Sequence, residues 1–70
     1  MSMNYRKHLD AMCRAGERAD ALGLARALNQ AAGDYCNGLI NEEELSRLVD
    51  ASDDILWRLE RDRAMNDEEN

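Results

Sequence analysis

The sequence contains no proline and no phenylalanine, and aromatic residues make up only 4% of its 70 residues. Without proline, no residue in the chain forbids long helices. With so few aromatic side chains, a single chain of this length builds a thin core, which rarely contributes more than about 3–5 kcal/mol of stability. The composition therefore favours a small all-α fold and predicts association, as a homodimer or with a partner.

Several classes of function lack the residues that they need. One histidine and two cysteines, with no Cys-x-x-Cys pair, do not make a zinc site. The chain has no glycine-rich phosphate loop and no set of Ser, His and acidic residues that a few short helices could bring together. We therefore expect no enzymatic activity, no catalytic residue, no metal and no cofactor.

Long apolar runs are missing too. No stretch is apolar enough to span a bilayer, and the N-terminus lacks the apolar segment of a secretory signal peptide. The two cysteines are then expected to be free thiols, as in cytosolic proteins. The sequence predicts a cytoplasmic protein with no membrane partner.

Charge is distributed unevenly along a chain whose net charge is −6. Basic residues outnumber acidic ones over residues 5–32, whereas acidic residues dominate from residue 41 onward. An acidic protein is repelled by free nucleic acid and attracted to basic partners. Direct nucleic-acid binding is therefore disfavoured, and the expected partner is a basic or nucleic-acid-handling protein.

The clearest local pattern predicts a turn between two helices at residues 37–41. Gly38 suits the left-handed conformation that ends many helices. Asn41 is a favourable N-cap, and Glu44, three residues later, completes the spacing of a capping box. These residues predict an antiparallel helical hairpin with its turn at 37–41.

The same turn shares part of the calcium-binding EF-hand pattern. Gly38, Ile40 and Glu44 match the glycine, aliphatic and glutamate positions of that loop. Gly33 and Tyr35, however, stand at two positions that should supply oxygen ligands. Helix capping explains the pattern without a metal, so no calcium site is expected.

The second half of the chain predicts one amphipathic helix from Glu42 to about Met65. Its apolar stripe follows three- and four-residue spacing through Leu45, Leu48, Val49, Ser52, Ile55, Leu56 and Leu59. We expect a single helical domain over residues 1–66 and a frayed acidic tail over residues 67–70.

The first half has a helical composition, but its apolar face changes direction. One stripe is formed by Tyr5, Leu9, Met12, Gly16 and Ala19, and a second, on the opposite side of the same helical wheel, by Leu22, Ala25, Leu28, Ala32, Tyr35 and Cys36. Either the chain breaks near residues 16–23 and folds into a small three-helix bundle, or one long helix turns its first stripe toward another molecule. In the second case self-association would use Tyr5, Leu9 and Met12.

Trp57 is the most informative single residue, because it lies off the apolar stripe on the polar side of its helix. Tryptophan and arginine are enriched at the energetic centres of protein interfaces. The alternative is that a third helix covers the ring. The predicted partner-binding residues on this side are Glu43, Asp50, Asp53, Asp54, Trp57 and Arg61.

The outline of an acidic helical hairpin resembles the plasmid repressor-of-primer proteins, which are dimeric four-helix bundles that bind RNA. It is similar in size and charge to the short acidic proteins with which phages and mobile elements block host defences, anti-CRISPR proteins among them. The second likeness implies an inhibitor of a host nucleic-acid-handling complex. The first implies a dimeric RNA- or DNA-binding regulator. In this sequence the basic first third of the chain would supply the contacts, through Arg6, Lys7, Arg14 and Arg18.

Overall fold

The computed structural model describes the backbone of residues 2–68 and the side chains of residues 2–64. Three α-helices follow one another: α1 (Met3–Glu17), α2 (Ala21–Cys36) and α3 (Glu42–Glu68). Each helix packs against both of the others. The all-α fold is therefore confirmed, and of the two alternatives the three-helix bundle is the one observed.

The three helices alternate in direction. Ser2, just before α1, hydrogen-bonds to Glu44 in the first turn of α3, and Gly16 near the end of α1 contacts Ile55 further along α3. These two contacts make α1 and α3 parallel, so that α2 runs back between their ends. The short connections leave no alternative to this up–down–up order.

The break between α1 and α2 falls within the predicted interval but does not use its glycines. The N–H of Asp20 donates to the carbonyl of Ala15 at 2.8 Å, and the N–H of Ala19 donates to that of Gly16 at 3.1 Å. This is a Schellman motif, in which the residue after the cap takes a left-handed conformation. Here that residue is Ala19, with φ of 54°, so the turn carries backbone strain that a glycine would remove.

Gly16 serves the packing of α1 against α3. A Cβ atom at this position would lie 2.9 Å from the Cγ2 of Ile55, which is closer than real Cβ atoms come. The missing side chain therefore lets the two helices approach where the apolar stripe of α3 meets the end of α1.

The turn at residues 37–41 has the predicted structure. Gly38 is left-handed, with φ of 77°, and ends α2 in a second Schellman motif. The Glu44 N–H donates to Asn41 Oδ1 at 2.8 Å, and the Asn41 N–H donates to Glu44 Oε1 at 3.0 Å. This reciprocal pair is the capping box, and the prediction of the turn is confirmed.

The two Schellman motifs allow a matched stability test. Gly38→Ala should lower the free energy of unfolding by about 1 kcal/mol, because an L-residue is disfavoured at positive φ. Ala19→Gly should raise it by a similar amount, since Ala19 is exposed and loses no packing. Urea denaturation followed by circular dichroism measures both. Equal shifts in the same direction would mean that at least one turn differs from the structure.

The core is small and contains three alanines among its eight buried apolar residues. These are Tyr5, Met12, Ala15, Leu24, Ala27, Ala31, Ile40 and Leu48. Because alanine has a small side chain, the helices can pack closely. Each buried alanine, however, removes little apolar area from water and so contributes little to the stability of the fold. This bears out the expectation of a thin core.

The prediction that Tyr5, Leu9 and Met12 mediate self-association, which belonged to the long-helix alternative, is corrected by this arrangement. Tyr5 and Met12 are buried within the chain, and Leu9 is half-buried against the same cluster. The break after α1 lets the helix fold back, so that its apolar side faces α2 and α3. These three side chains therefore belong to the chain's own core and do not form an external surface.

The apolar stripe of α3 is wider than the bundle covers. Leu48 and Ser52 are buried, whereas Val49 and Leu56, at the edge of the stripe, each remain 38% exposed. The helix also continues to Glu68, so residues 67 and 68 of the predicted tail are helical; residues 69 and 70 lie outside the described part of the chain.

Candidate interaction surfaces

One side of α3 faces away from both other helices and carries the predicted partner-binding residues. Glu43, Asp50 and Trp57 recur at seven-residue intervals, which places them along one line of the helix. The structure brings the whole predicted set onto this exposed side, here named the acidic face: Glu43, Asp50, Asp53, Asp54, Trp57 and Arg61.

Trp57 is the largest side chain on the acidic face, and it is 57% exposed. The guanidinium carbon of Arg61, one turn later, lies 5.0 Å from the centre of the indole ring. This cation–π contact contributes about 0.5–1 kcal/mol at exposed sites, and it restricts the orientation of the ring. The alternative, that a third helix covers the ring, does not hold, because Tyr5 and Met12 of α1 are buried in the core and Trp57 stays at the surface.

The carboxylates around Trp57 differ in whether they are paired. Asp54 forms an ion pair with Arg58 at 3.2 Å, and Glu43 forms one with Arg47 at 2.9 Å. Both pairs are exposed i,i+4 contacts, which contribute little to stability. Asp50 and Asp53 form no ion pair with any basic side chain among residues 2–64. These two charges are therefore available to an approaching partner.

The basic residues of the alternative function lie on the outer side of α1. Arg6, Lys7 and Arg14 line one shallow depression, together with Met3, Asp10 and Ala11. We call this depression the basic groove. Arg18 is the C-cap residue of α1 and does not line it. The structure thus brings together three of the four predicted cations, and Asp10 stands among them.

Glu44 holds the starts of α1 and α3 together, a role that sequence reasoning missed. Beyond its capping box, its Oε2 accepts hydrogen bonds from the N–H of Ser2 at 2.9 Å and from the hydroxyl of Ser2 at 2.8 Å. Ser2 Oγ in turn accepts from the N–H of Tyr5 at 3.2 Å, as the N-cap of α1. Ser2 could have been recognised as an N-cap, but nothing local indicates its bond to Glu44.

These hydrogen bonds lower the pKa of the Glu44 carboxyl. The N–H of Ser2 has the largest effect, followed by the N–H of Asn41 and then by the Ser2 hydroxyl. Each donor stabilises the charged form of the carboxylate, which is also buried in the fold. The charge of Glu44 is therefore part of the native structure.

The lowered pKa predicts how stability depends on pH. A carboxyl whose pKa is depressed by folding stabilises the native state above its usual value of 4.5, and this stabilisation is lost as the pH falls through the folded pKa. Between about pH 6 and about pH 3, unfolding free energy should fall more steeply for the wild type than for Glu44→Gln. Urea denaturation at each pH measures this, with the exposed neighbour variant Glu43→Gln as control. Parallel curves for wild type and Glu44→Gln would contradict the prediction.

A second polar contact missed by sequence reasoning joins α1 to α2. The Nε2 atom of His8 lies 2.5 Å from Oδ2 of Asp34, and the histidine is buried. The two residues are 26 positions apart, so no local pattern connects them. His8 is thus a core residue that is satisfied by hydrogen bonding to Asp34.

Metal-ligand clusters and membrane-spanning helices are absent from the described part of the chain. Among these residues no three His, Cys, Asp or Glu side chains are grouped so that they could hold a metal ion. None of the described helices is both long and apolar enough to cross a membrane. No protein-family model, curated protein or solved structure matches the chain. A functional proposal therefore has to rest on the surfaces described above.

Proposed function

We propose that this chain is a non-enzymatic binding protein that contacts a basic protein partner through the acidic face of α3. The observation that carries the proposal is the position of Trp57, a large aromatic side chain left exposed among carboxylates. Tryptophan is enriched among residues that dominate binding energy. Asp50 and Asp53 lie on the same face and form no ion pair with the basic side chains that the structure describes. They suit a partner with a basic surface, because opposite charges speed and orient association.

The partner class follows from the charge of the acidic face. Proteins that handle nucleic acids carry basic surfaces, and an acidic face with an aromatic anchor is complementary to such a surface. An inhibitor of a host defence complex, made by a phage or another mobile element, is one instance of this class. That instance draws on the likeness in size and charge to anti-CRISPR proteins.

A second candidate function is a dimeric regulator that binds RNA or DNA through α1. The observation that favours it is the basic groove, in which Arg6, Lys7 and Arg14 lie close together. The net charge of −6 opposes it, since the whole molecule repels a polyanion at long range. Binding of single- or double-stranded nucleic acid that weakens steeply with salt would favour this candidate.

Capture from cells of the native host tests the first proposal. Tagged wild type, Trp57→Ala and Leu39→Ala are used in parallel, because Leu39, in the turn between α2 and α3, is exposed to a similar extent as Trp57. A basic protein recovered with wild type and Leu39→Ala but depleted with Trp57→Ala is the expected result. Equal recovery by all three would place the contact elsewhere, and loss with Leu39→Ala alone would place it at the turn.

A further inference from the structure

The outer side of α2 is a helix face that is left exposed by residues 2–64, whose side chains the structure describes. Its buried residues, Leu24, Ala27 and Ala31, pack against the other two helices. On the opposite side, Leu22 is 63% exposed, and further exposed residues follow at alternating spacings of three and four. They form one continuous line, here named the α2 stripe: Leu22, Ala25, Asn29, Ala32 and Cys36. This is the spacing with which one helix packs against another.

Charge distinguishes this face from the outer sides of α1 and α3. Arg26 is the one charged residue that is exposed within Ala21–Cys36, because Asp34 is half-buried against His8. A strongly acidic or basic partner would find no complementary charge there. In a two-fold contact each surface meets its own copy, so like charges oppose each other. For a molecule of net charge −6, the α2 face is therefore where self-contact meets the least repulsion.

The α2 stripe is also complementary to itself when it is reversed. Turning a second copy end over end about Asn29 sets Leu22 opposite Cys36, seven residues to either side of the centre. It also brings Ala25 to within one residue of the level of Ala32, because these lie four and three residues from the centre. The small side chains on either side of the centre allow the two helices to approach closely. At the centre Asn29 meets its own copy, and an amide can both donate to and accept from another amide.

We propose that two copies of this chain associate through α2, antiparallel, around a two-fold axis near Asn29. The contact is small, because a helix of 16 residues is only about 24 Å long. We expect one face of so short a helix to bury less than the roughly 800 Å² per partner that stable complexes bury. Association is accordingly weak, with a Kd of about 10⁻⁴ M. The proposal is independent of the acidic face, so Trp57→Ala should leave self-association unchanged.

Sedimentation of the full chain from about 10 μM to about 1 mM tests the association. Wild type should change from monomer to dimer over this range, and Asn29→Lys should remain monomeric because two like charges would meet at the axis. Gln30→Lys is the matched control, since it adds the same charge one residue later, off the stripe, and should still dimerise. A wild type that is monomeric at about 1 mM, or equal effects of the two lysine variants, would overturn the proposal.

Disulfide trapping tests the orientation. In a Cys13→Ser background, Leu22→Cys places a thiol opposite Cys36 of the other copy, and mild oxidation should join positions 22 and 36 between chains. Met3→Cys, at an exposed site on α1, is the control and should be joined to position 36 much more slowly. Predominant bonds between two Cys36 residues, or equal rates for the two variants, would overturn the antiparallel arrangement. Peptide mapping by mass spectrometry distinguishes these products.

Discussion

Leu48→Ala should leave a large fraction of the protein unfolded at 25 °C. Leu48 and Met12 are the largest side chains that are completely buried. Leu48 lies near the start of α3, the helix that packs against both α1 and α2. Truncating a buried leucine to alanine costs about 2–5 kcal/mol, because it removes apolar contacts and leaves a cavity. In a domain of this size the hydrophobic core rarely contributes more than about 3–5 kcal/mol of stability, so a loss of this size is comparable to the whole.

The adjacent residue supplies the control for this prediction. Val49 is 38% exposed at the edge of the same stripe, so Val49→Ala should cost less than about 1 kcal/mol. Circular dichroism at 222 nm during urea denaturation, with both variants measured beside wild type, compares the two substitutions. If both variants unfold at the wild-type midpoint, the core has been assigned to the wrong face of α3.

The local features of the fold were predictable because they depend on residues close together in the chain. Gly38, Asn41 and Glu44 specify the second turn through backbone conformation and capping, and both mechanisms act within a few residues. The helical period likewise located the buried side of α3. Each of these predictions needed no knowledge of what packs against the helix.

The remaining features depend on contacts between distant residues. The change in direction of the N-terminal apolar face fitted either a break or an external partner, because periodicity shows which side is apolar but not what covers it. The break itself was hard to place, since its left-handed residue is Ala19 where propensity favours glycine. The hydrogen bonds of Glu44 with Ser2 and of His8 with Asp34 join different helices.

The distinction between local features and contacts of distant residues also applies to the candidate surfaces. The position of the acidic face on α3 followed from helical period alone, and the structure places all of its residues on the exposed side. Tyr5, Leu9 and Met12 were predicted to contact another molecule only if the first half of the chain formed one long helix, and the break after α1 turns them into the core of the chain instead. Exposure of an apolar residue depends on the whole bundle, as the exposed Val49 and Leu56 also illustrate.

Trp57→Ala should weaken binding of the proposed basic partner by at least about 2 kcal/mol, which is roughly a thirtyfold rise in Kd. An aromatic anchor acts after the two proteins have met, by filling a pocket on the partner. Its loss should therefore appear mainly as faster dissociation. Because the ring lies outside the core, the melting temperature should stay close to that of wild type.

Charge reversal at Asp53 should mainly affect the rate of association with the partner. Asp53 has no ion pair with a described basic residue, so Asp53→Lys removes an attraction that acts before contact. Association should slow and lose part of its salt dependence, while dissociation changes less. Surface plasmon resonance at two ionic strengths separates the two rates, with Leu39→Ala, at an exposed position in the turn before α3, as the unaffected control. If Trp57→Ala instead lowers the melting temperature sharply and leaves both rates intact, Trp57 stabilises the fold and the acidic face has no anchor.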